Sequence, residues 1–208
     1  SALLGNDFAT FPDFPAEIRA PRGTTFGVSG FQVHFANENI HTPGDIVNAL
    51  VAMNPAAFKV HIVDVEPSGI VIVNSDEFTK GNLKKAGYEA GYNPLEDEDL
   101  VSQYRLFQIP MSRMTRESLA GGEESVRDID RCRNMYALGI AYWLYHRPLD
   151  ATLDFFDHYL NKQKKRPDLA ALNTKALKAG YYFGETAEIF ATRYEVAPAK
   201  MPPGTYRK

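Results

Sequence analysis

The chain has 208 residues, 44% of them apolar, enough for a substantial buried core, and a formal net charge of −3. So near-neutral a balance gives no electrostatic ground for binding nucleic acid or an anionic membrane, and no apolar run approaches the roughly 20 residues that span a bilayer. A single cysteine, Cys132, excludes an internal disulfide and any cysteine-built zinc or iron–sulfur site made by this chain alone, which suits the cytoplasm.

In chain order, residues 8–14 and the alternating Phe31-Gln-Val-His-Phe35 read as strands, the second half-buried and of the kind found at a sheet edge. Between them, residues 15–30 have neither a helical nor a strand period. They carry Glu17, Arg19 and Arg22 among prolines and glycines. Long loops inside domains are commonly functional, glycines let a backbone approach a partner, and arginines take carboxylate or phosphate in a bidentate way. The same loop reads equally as a surface crossover with solvated arginines. Ala49-Leu-Val-Ala-Met53 is a continuous apolar strand, followed by Asn54 as N-cap and Pro55 at the first position of a helix running to about residue 65. Pro67-Ser-Gly69 is a turn into the buried strand Ile70-Val-Ile-Val73, then a short helix to about residue 86. Strand, helix, strand of this kind predicts a parallel sheet. Residues 104–109 add a third strand, leading through Pro110 to a helix beginning near Met111 or Ser112.

Beyond Gly121-Gly122 the pattern is helical throughout. Apolar residues recur at Val126, Ile129, Cys132, Tyr136, Ile140 and Trp143 and surround the helix of residues 124–146 towards its end, which must therefore be buried. Leu149, Leu153, Phe156 and Leu160 mark a second helix; Leu169, Leu172 and Ala176 mark a third. Residues 197–208, rich in proline, read as an extended linker. The fold class is α/β: three layers, α/β/α, around a mostly parallel sheet, with a C-terminal helical extension.

Ligands of parallel sheets lie beyond the carboxyl ends of the strands, so Asn54, Asn74, Ser75, Asp76 and Ser112 line one rim, though each serves equally as a helix cap. Gly44-Asp45 followed by Asn74 imitates a thiamine-diphosphate motif, whose Asp and Asn oxygens hold magnesium. The imitation fails at Ile46 and Ser75, and Asp45 precedes its strand. The histidines have no metal-binding spacing, and there is no dinucleotide fingerprint, phosphate loop or nucleophile signature.

Several ordered stretches resemble one family: Phe14-Pro-Ala-Glu-Ile-Arg-Ala-Pro21, Gly27-Val-Ser-Gly-Phe-Gln32, Leu50-Val-Ala-Met-Asn-Pro55, Ile72-Val-Asn-Ser-Asp76, Asn134-Met-Tyr-Ala-Leu-Gly139, Tyr194-Glu-Val-Ala-Pro-Ala199 and Pro202-Pro-Gly-Thr-Tyr-Arg207. With others between them, they cover nearly the whole chain. They resemble the gamma domain of the 2-oxoacid:ferredoxin oxidoreductases (domain III in the pyruvate enzymes), most of all the gamma part fused ahead of the alpha domain in the 2-oxoglutarate type. Arg22 departs from the pattern, standing where the family often has a small residue.

The resemblance implies oxidative decarboxylation of a 2-oxoacid with coenzyme A and ferredoxin, or the reverse carboxylation. It implies a gamma domain over residues 1–196, its opening strand outside the chain, and a linker over 197–208 towards an alpha domain. The expected partners are an alpha domain or subunit, a beta subunit and ferredoxin, in a dimer of heteromers. Thiamine diphosphate, Mg and a [4Fe-4S] cluster are expected in the assembled enzyme, with no cofactor bound by this chain alone and no catalytic residue of its own. Glu17, Arg19, Arg22, Asn54 and Asn74 are the candidate ligand or interface residues.

Overall fold

A computed structural model of the chain describes residues 5–13, 27–122, 125–187 and 193–198. In chain order the elements are β1 (Asp7–Asp13), β2 (Gly30–Ala36), β3 (Val47–Ala52), α1 (Pro55–His61), β4 (Val65–Asn74), α2 (Lys80–Lys85), α3 (Glu98–Val101), β5 (Arg105–Ile109), α4 (Met111–Leu119), α5 (Val126–Arg131), α6 (Arg133–Leu144), α7 (Asp150–Phe155) and α8 (Pro167–Thr186). The three apolar runs pair in parallel as β3-β4-β5, and helices cover both faces of this sheet.

Alternation along β4 divides the core. Ile70 and Ile72 face α4, α6 and α8, where they pack with Ile109, Met111, Tyr136, Ile140 and Trp143. Val71 and Val73 face the other way, onto Phe58 of α1, Ile62, Phe78 and Leu83 of α2. Burial on both faces is what a continuous Val/Ile run requires. The 124–146 segment, read as one helix, is two: α5 stops at Arg131, the Cys132 amide turns back to the Ile129 carbonyl at 2.9 Å, and α6 begins at Arg133. Similarly, α1 ends at His61 and Val65 already belongs to β4. Pro67-Ser-Gly69 is an irregularity inside that strand, where the register with β3 shifts and Ser68 takes φ +62°. Beyond α7 the chain continues as a π-helix over Phe156–Gln163.

The other correction concerns residues 31–35. They do not edge the main sheet; β2 pairs antiparallel with β1 in a separate two-stranded ribbon, from Asp7↔Ala36 to Asp13↔Gly30. The loop that follows is tied to one ribbon face: Gln32 Nε2 donates to the Pro43 and Gly44 carbonyls at 3.0 and 2.8 Å. Alternation reveals a half-buried strand but not its partner.

The helical layer is held by backbone contact. A Cβ on Gly139 of α6 would fall on the Leu177 carbonyl of α8, and one on Gly180 of α8 on the Tyr136 carbonyl; one on Gly184 would lie 2.7 Å from the Trp143 ring. No described helix is long and apolar enough to cross a membrane. Gly139→Ala and Gly180→Ala should each destabilise the fold by more than about 3 kcal/mol in urea unfolding, because the backbone itself must move. Gly81→Ala on α2, with nothing nearer than Thr79 Oγ1 at 4.0 Å, should instead stabilise by about 0.5–1 kcal/mol. Equal effects at the three sites would contradict glycine-mediated packing.

Candidate functional site

The carboxyl ends of β3, β4 and β5 form one rim. At the first, Asn54 is extended and its Oδ1 accepts from the Ala57 amide at 2.9 Å, capping α1, whose first residue is Pro55. Its Nδ2 donates to the Gly27 carbonyl at 3.0 Å. Gly27 has φ +81°, and a Cβ there would sit 2.9 Å from that same nitrogen. His61 Nε2 meets the Val28 carbonyl at 2.8 Å. The far end of the long 15–30 loop is thus pinned to β3 and α1. Glu17, Arg19 and Arg22 lie outside the described residues.

At the end of β4, Asn74 is fully buried. Its Nδ2 donates to Ser112 Oγ at 2.9 Å, and its Oδ1 accepts from the Ser112 amide at 3.3 Å. Ser112 Oγ passes its own proton towards Glu77 Oε1, 3.3 Å away, and Arg133 Nη1 donates to that oxygen at 2.8 Å. Asn82 Nδ2 takes the other carboxylate oxygen at 3.1 Å, and Asp76 Oδ2 accepts from the Arg113 amide at 2.7 Å. A polar relay therefore runs from the core, through Asn74, Ser112 and Glu77, to Arg133. Beside it an open groove of about 690 Å³ is lined by Val126, Arg127, Asp130, Arg131, Arg133 and Asn134. Arg116 grips Asp130 with Nε at 2.6 Å and Nη2 at 3.0 Å, which lowers the Asp130 pKa and raises that of Arg116.

Ser112 beside Glu77 has the outward form of a nucleophile and its base. The hydroxyl is buried and shared with Asn74, however, and the carboxylate is held by Arg133 and Asn82, so neither group is free for proton transfer. The groove is lined by three arginines and one aspartate, but Arg133 is paired with Glu77 at 2.8 Å, Arg131 with Asp128 at 3.3 Å, and Asp130 with Arg116, so most of its charge is already balanced. Asn54 and Asn74 stand at the ends of adjacent strands, each engaged by its own neighbours. Sequence reading missed Glu77 and Arg133. Glu77 directly follows Asn74-Ser-Asp76, the only local signal; Arg133 arrives from 56 residues away.

The residues present do not fit a thiamine diphosphate–magnesium centre. Asp45 precedes β3, at the amino end of the sheet, whereas Asn74 ends β4 and spends both halves of its amide on Ser112. One metal ion cannot join them. Nor does Cys132 suit a cluster: it is buried, and desolvation pushes its thiol up to about 11. Among the described residues no three His, Cys, Asp or Glu side chains are grouped to hold a metal.

A family profile described as pyruvate ferredoxin/flavodoxin oxidoreductase matches residues 1–183. The chain is similar to the 2-oxoglutarate oxidoreductase subunit KorA of Mycobacterium tuberculosis, with 48% identity over 208 residues; the match takes in 100% of this chain and 31% of that relative. The chain thus spans under a third of its curated relative's length. Among solved structures it resembles the 2-oxoglutarate:ferredoxin oxidoreductase of Magnetococcus marinus, determined with 2-oxoglutarate, coenzyme A and succinyl-CoA bound, with a TM-score of 0.65 and 22% identity over 95% of this chain and 29% of that one. It also resembles the gamma subunit of a keto/oxoacid ferredoxin oxidoreductase from Geobacter sulfurreducens, with a TM-score of 0.54 and 16% identity over 89% of this chain and 84% of that one. At these identities the structural likeness is one of fold.

Ser112→Ala should cost about 1–3 kcal/mol in chemical unfolding, since it strands the buried Asn74 amide. At pH 8, with only a small thiolate fraction at Cys132, iodoacetamide should alkylate the native protein on the order of a hundredfold more slowly than the urea-unfolded chain. Comparable rates would place the thiol at the surface.

Proposed function

The chain belongs to the pyruvate ferredoxin/flavodoxin oxidoreductase family, and from that premise we propose that it is the gamma component of a 2-oxoacid:ferredoxin oxidoreductase acting on 2-oxoglutarate. The assembled enzyme converts 2-oxoglutarate and coenzyme A to succinyl-CoA and carbon dioxide, with the released electrons passing to ferredoxin, or runs the reverse carboxylation. The observation that carries this reading is the 48% identity, extending over all 208 residues, to a 2-oxoglutarate oxidoreductase subunit.

On this reading the complex works in the cytoplasm. Thiamine diphosphate, magnesium and a [4Fe-4S] cluster are supplied by sites in the alpha and beta parts or in another subunit, consistent with the misfit of Asp45, Asn74 and Cys132. This chain contributes a scaffold and an interface near the shared active site. Glu17, Arg19 and Arg22 serve as polar contacts to coenzyme A or the oxoacid, on a loop whose end Asn54 fixes through Gly27. Asn74 supports the same rim from beneath.

A second reading, in which the domain only holds subunits together, is favoured by the internal engagement of Asn54, Asn74, Ser112 and Glu77. Arg19→Ala in the assembled enzyme separates the two. A contact role raises the apparent requirement for coenzyme A or oxoacid with assembly intact, whereas a pure assembly role loses association before turnover. Assaying ferredoxin reduction with 2-oxoglutarate and with pyruvate tests the substrate, and preference for pyruvate would overturn the assignment. The 208-residue chain alone should oxidise neither.

A further inference from the structure

Asn54 and His61 stand at opposite ends of α1, and each spends a side-chain nitrogen on the same short stretch of backbone. The two halves of the Asn54 amide have separate tasks. Oδ1 accepts from the Ala57 amide at 2.9 Å, which caps the helix, whereas Nδ2 donates to the Gly27 carbonyl at 3.0 Å. His61, the last residue of α1, places Nε2 2.8 Å from the next carbonyl, that of Val28. A carbonyl can only accept, so Nε2 carries the ring proton, and Nδ1 is left facing Asp64 Oδ2 at 3.8 Å. Two successive carbonyls are thus gripped by one helix. Gly27 permits it: at φ +81° it has no Cβ to lie 2.9 Å from Asn54 Nδ2.

The core does not need this grip. α1 is seated by Pro55, Ala56, Ala57 and Phe58, all buried, and is capped without Nδ2. The ribbon is anchored at its far end, where Asn6 Nδ2 donates to the Ala36 and Ala197 carbonyls at 3.4 and 2.7 Å and Arg147 Nη1 donates to Asn6 Oδ1 at 2.6 Å. At its near end Asp13 pairs with Gly30. What the grip fixes is the return of the loop: it moves the second anchor from Gly30 back to Gly27, shortening the interval between anchors to residues 14–26. Glu17, Arg19 and Arg22 fall inside that interval, and a shorter tether, at about 3.3–3.6 Å per residue, allows its side chains less room.

We propose that Asn54 and His61 are positioning residues for the oxidoreductase's anionic substrates, acting through the Gly27 and Val28 carbonyls on the loop that carries Glu17, Arg19 and Arg22. The proposal rests on the reading of that loop as a contact to coenzyme A or the oxoacid, both of which present anionic groups suited to an arginine fork. A loop that is placed before the ligand arrives has less ordering left to do on binding. When only a fraction of molecules hold the loop in place, apparent affinity falls by that fraction, while the chemistry in the bound complex is untouched. Loss of either bond therefore raises KM and spares kcat.

Asn54→Asp in the assembled enzyme separates the two tasks of Asn54, since a carboxylate still caps α1 but cannot donate to Gly27. The unfolding midpoint should hold, and hydrogen exchange over residues 14–30 should quicken. KM for coenzyme A, for 2-oxoglutarate or for both should rise roughly three- to tenfold at unchanged kcat, and measuring the two separately shows which anion the loop meets. His61→Phe, which keeps a ring without a donor, should act alike, whereas His61→Gln, whose amide nitrogen can replace Nε2, should keep KM near its original value. In a double variant of Asn54→Asp with Arg19→Ala, the rise in KM should fall short of the product of the single effects, because both act on one contact. Unchanged exchange in Asn54→Asp and His61→Phe, equal losses in His61→Phe and His61→Gln, or a fall confined to kcat would each overturn the proposal. If Arg19→Ala leaves both KM values unchanged, the loop reading fails and the positioning role with it; quickened exchange would then mark a purely structural clamp.

Discussion

The contact on which the rest of the structure depends is the one between α6 and α8, made backbone to backbone through Gly139 and Gly180. Because no side chains separate the two helices there, the bulky residues of α6 are free to serve the sheet: Tyr136, Ile140, Trp143 and Leu144 pack with Ile70, Ile72 and Ile109. Close approach also fixes the rotation and height of α6, and hence the positions of the two arginines that flank it. Arg133 opens the helix and reaches Glu77 at the sheet's carboxyl rim. Arg147 lies fourteen positions on, about 20 Å away along the axis at 1.5 Å per residue. A single helix register therefore sets the geometry of the groove at one end and of the bonds made by Arg147 at the other.

The parallel core was readable because its signal is simple. A strand buried on both faces must be apolar throughout, and Ile70-Val-Ile-Val73 can be little else. Asn54-Pro55 announced α1 for an equally local reason: a side-chain acceptor stands where amides are unpaired, and a proline where no donor is needed. What failed to show was everything set by distant neighbours. Alternation in residues 31–35 said half-buried and was silent about β1. The break at Cys132 carries neither glycine nor proline, and the apolar spacing runs through it undisturbed. Part of the candidate site was visible in the same limited way. Asn74 and Ser112 could be placed on a rim, but Glu77 and Arg133 are joined across 56 residues, which no local pattern encodes. Arg147 did leave a trace, as a lone charge closing the aromatic stretch Tyr142-Trp-Leu-Tyr-His146. A charge in such company is either at the surface or buried for a reason.

The two ends of α6 present different chemistry. At the rim, polar groups satisfy one another in sequence from Asn74 outward to Arg133, whose guanidinium is paired with Glu77. At the other end a cation is buried with part of its capacity unspent, beside exposed aromatic side chains. The first arrangement resists change, since each hydrogen bond supports the next. At the second, Nε and Nη2 of Arg147 are buried without an acceptor among the described residues.

The bond from Asn6 to the Ala197 carbonyl closes a loop of 191 residues. Its entropic cost grows only logarithmically with that separation, but it cannot be recovered until the sheet and the helix pair have already brought the two segments together. Such a junction depends on the rest of the fold and contributes nothing until that fold has formed. Arg147 sits against it. The Asn6–Arg147 hydrogen bond shares this dependence, so the buried guanidinium is held only where the two distant segments of the chain already lie together.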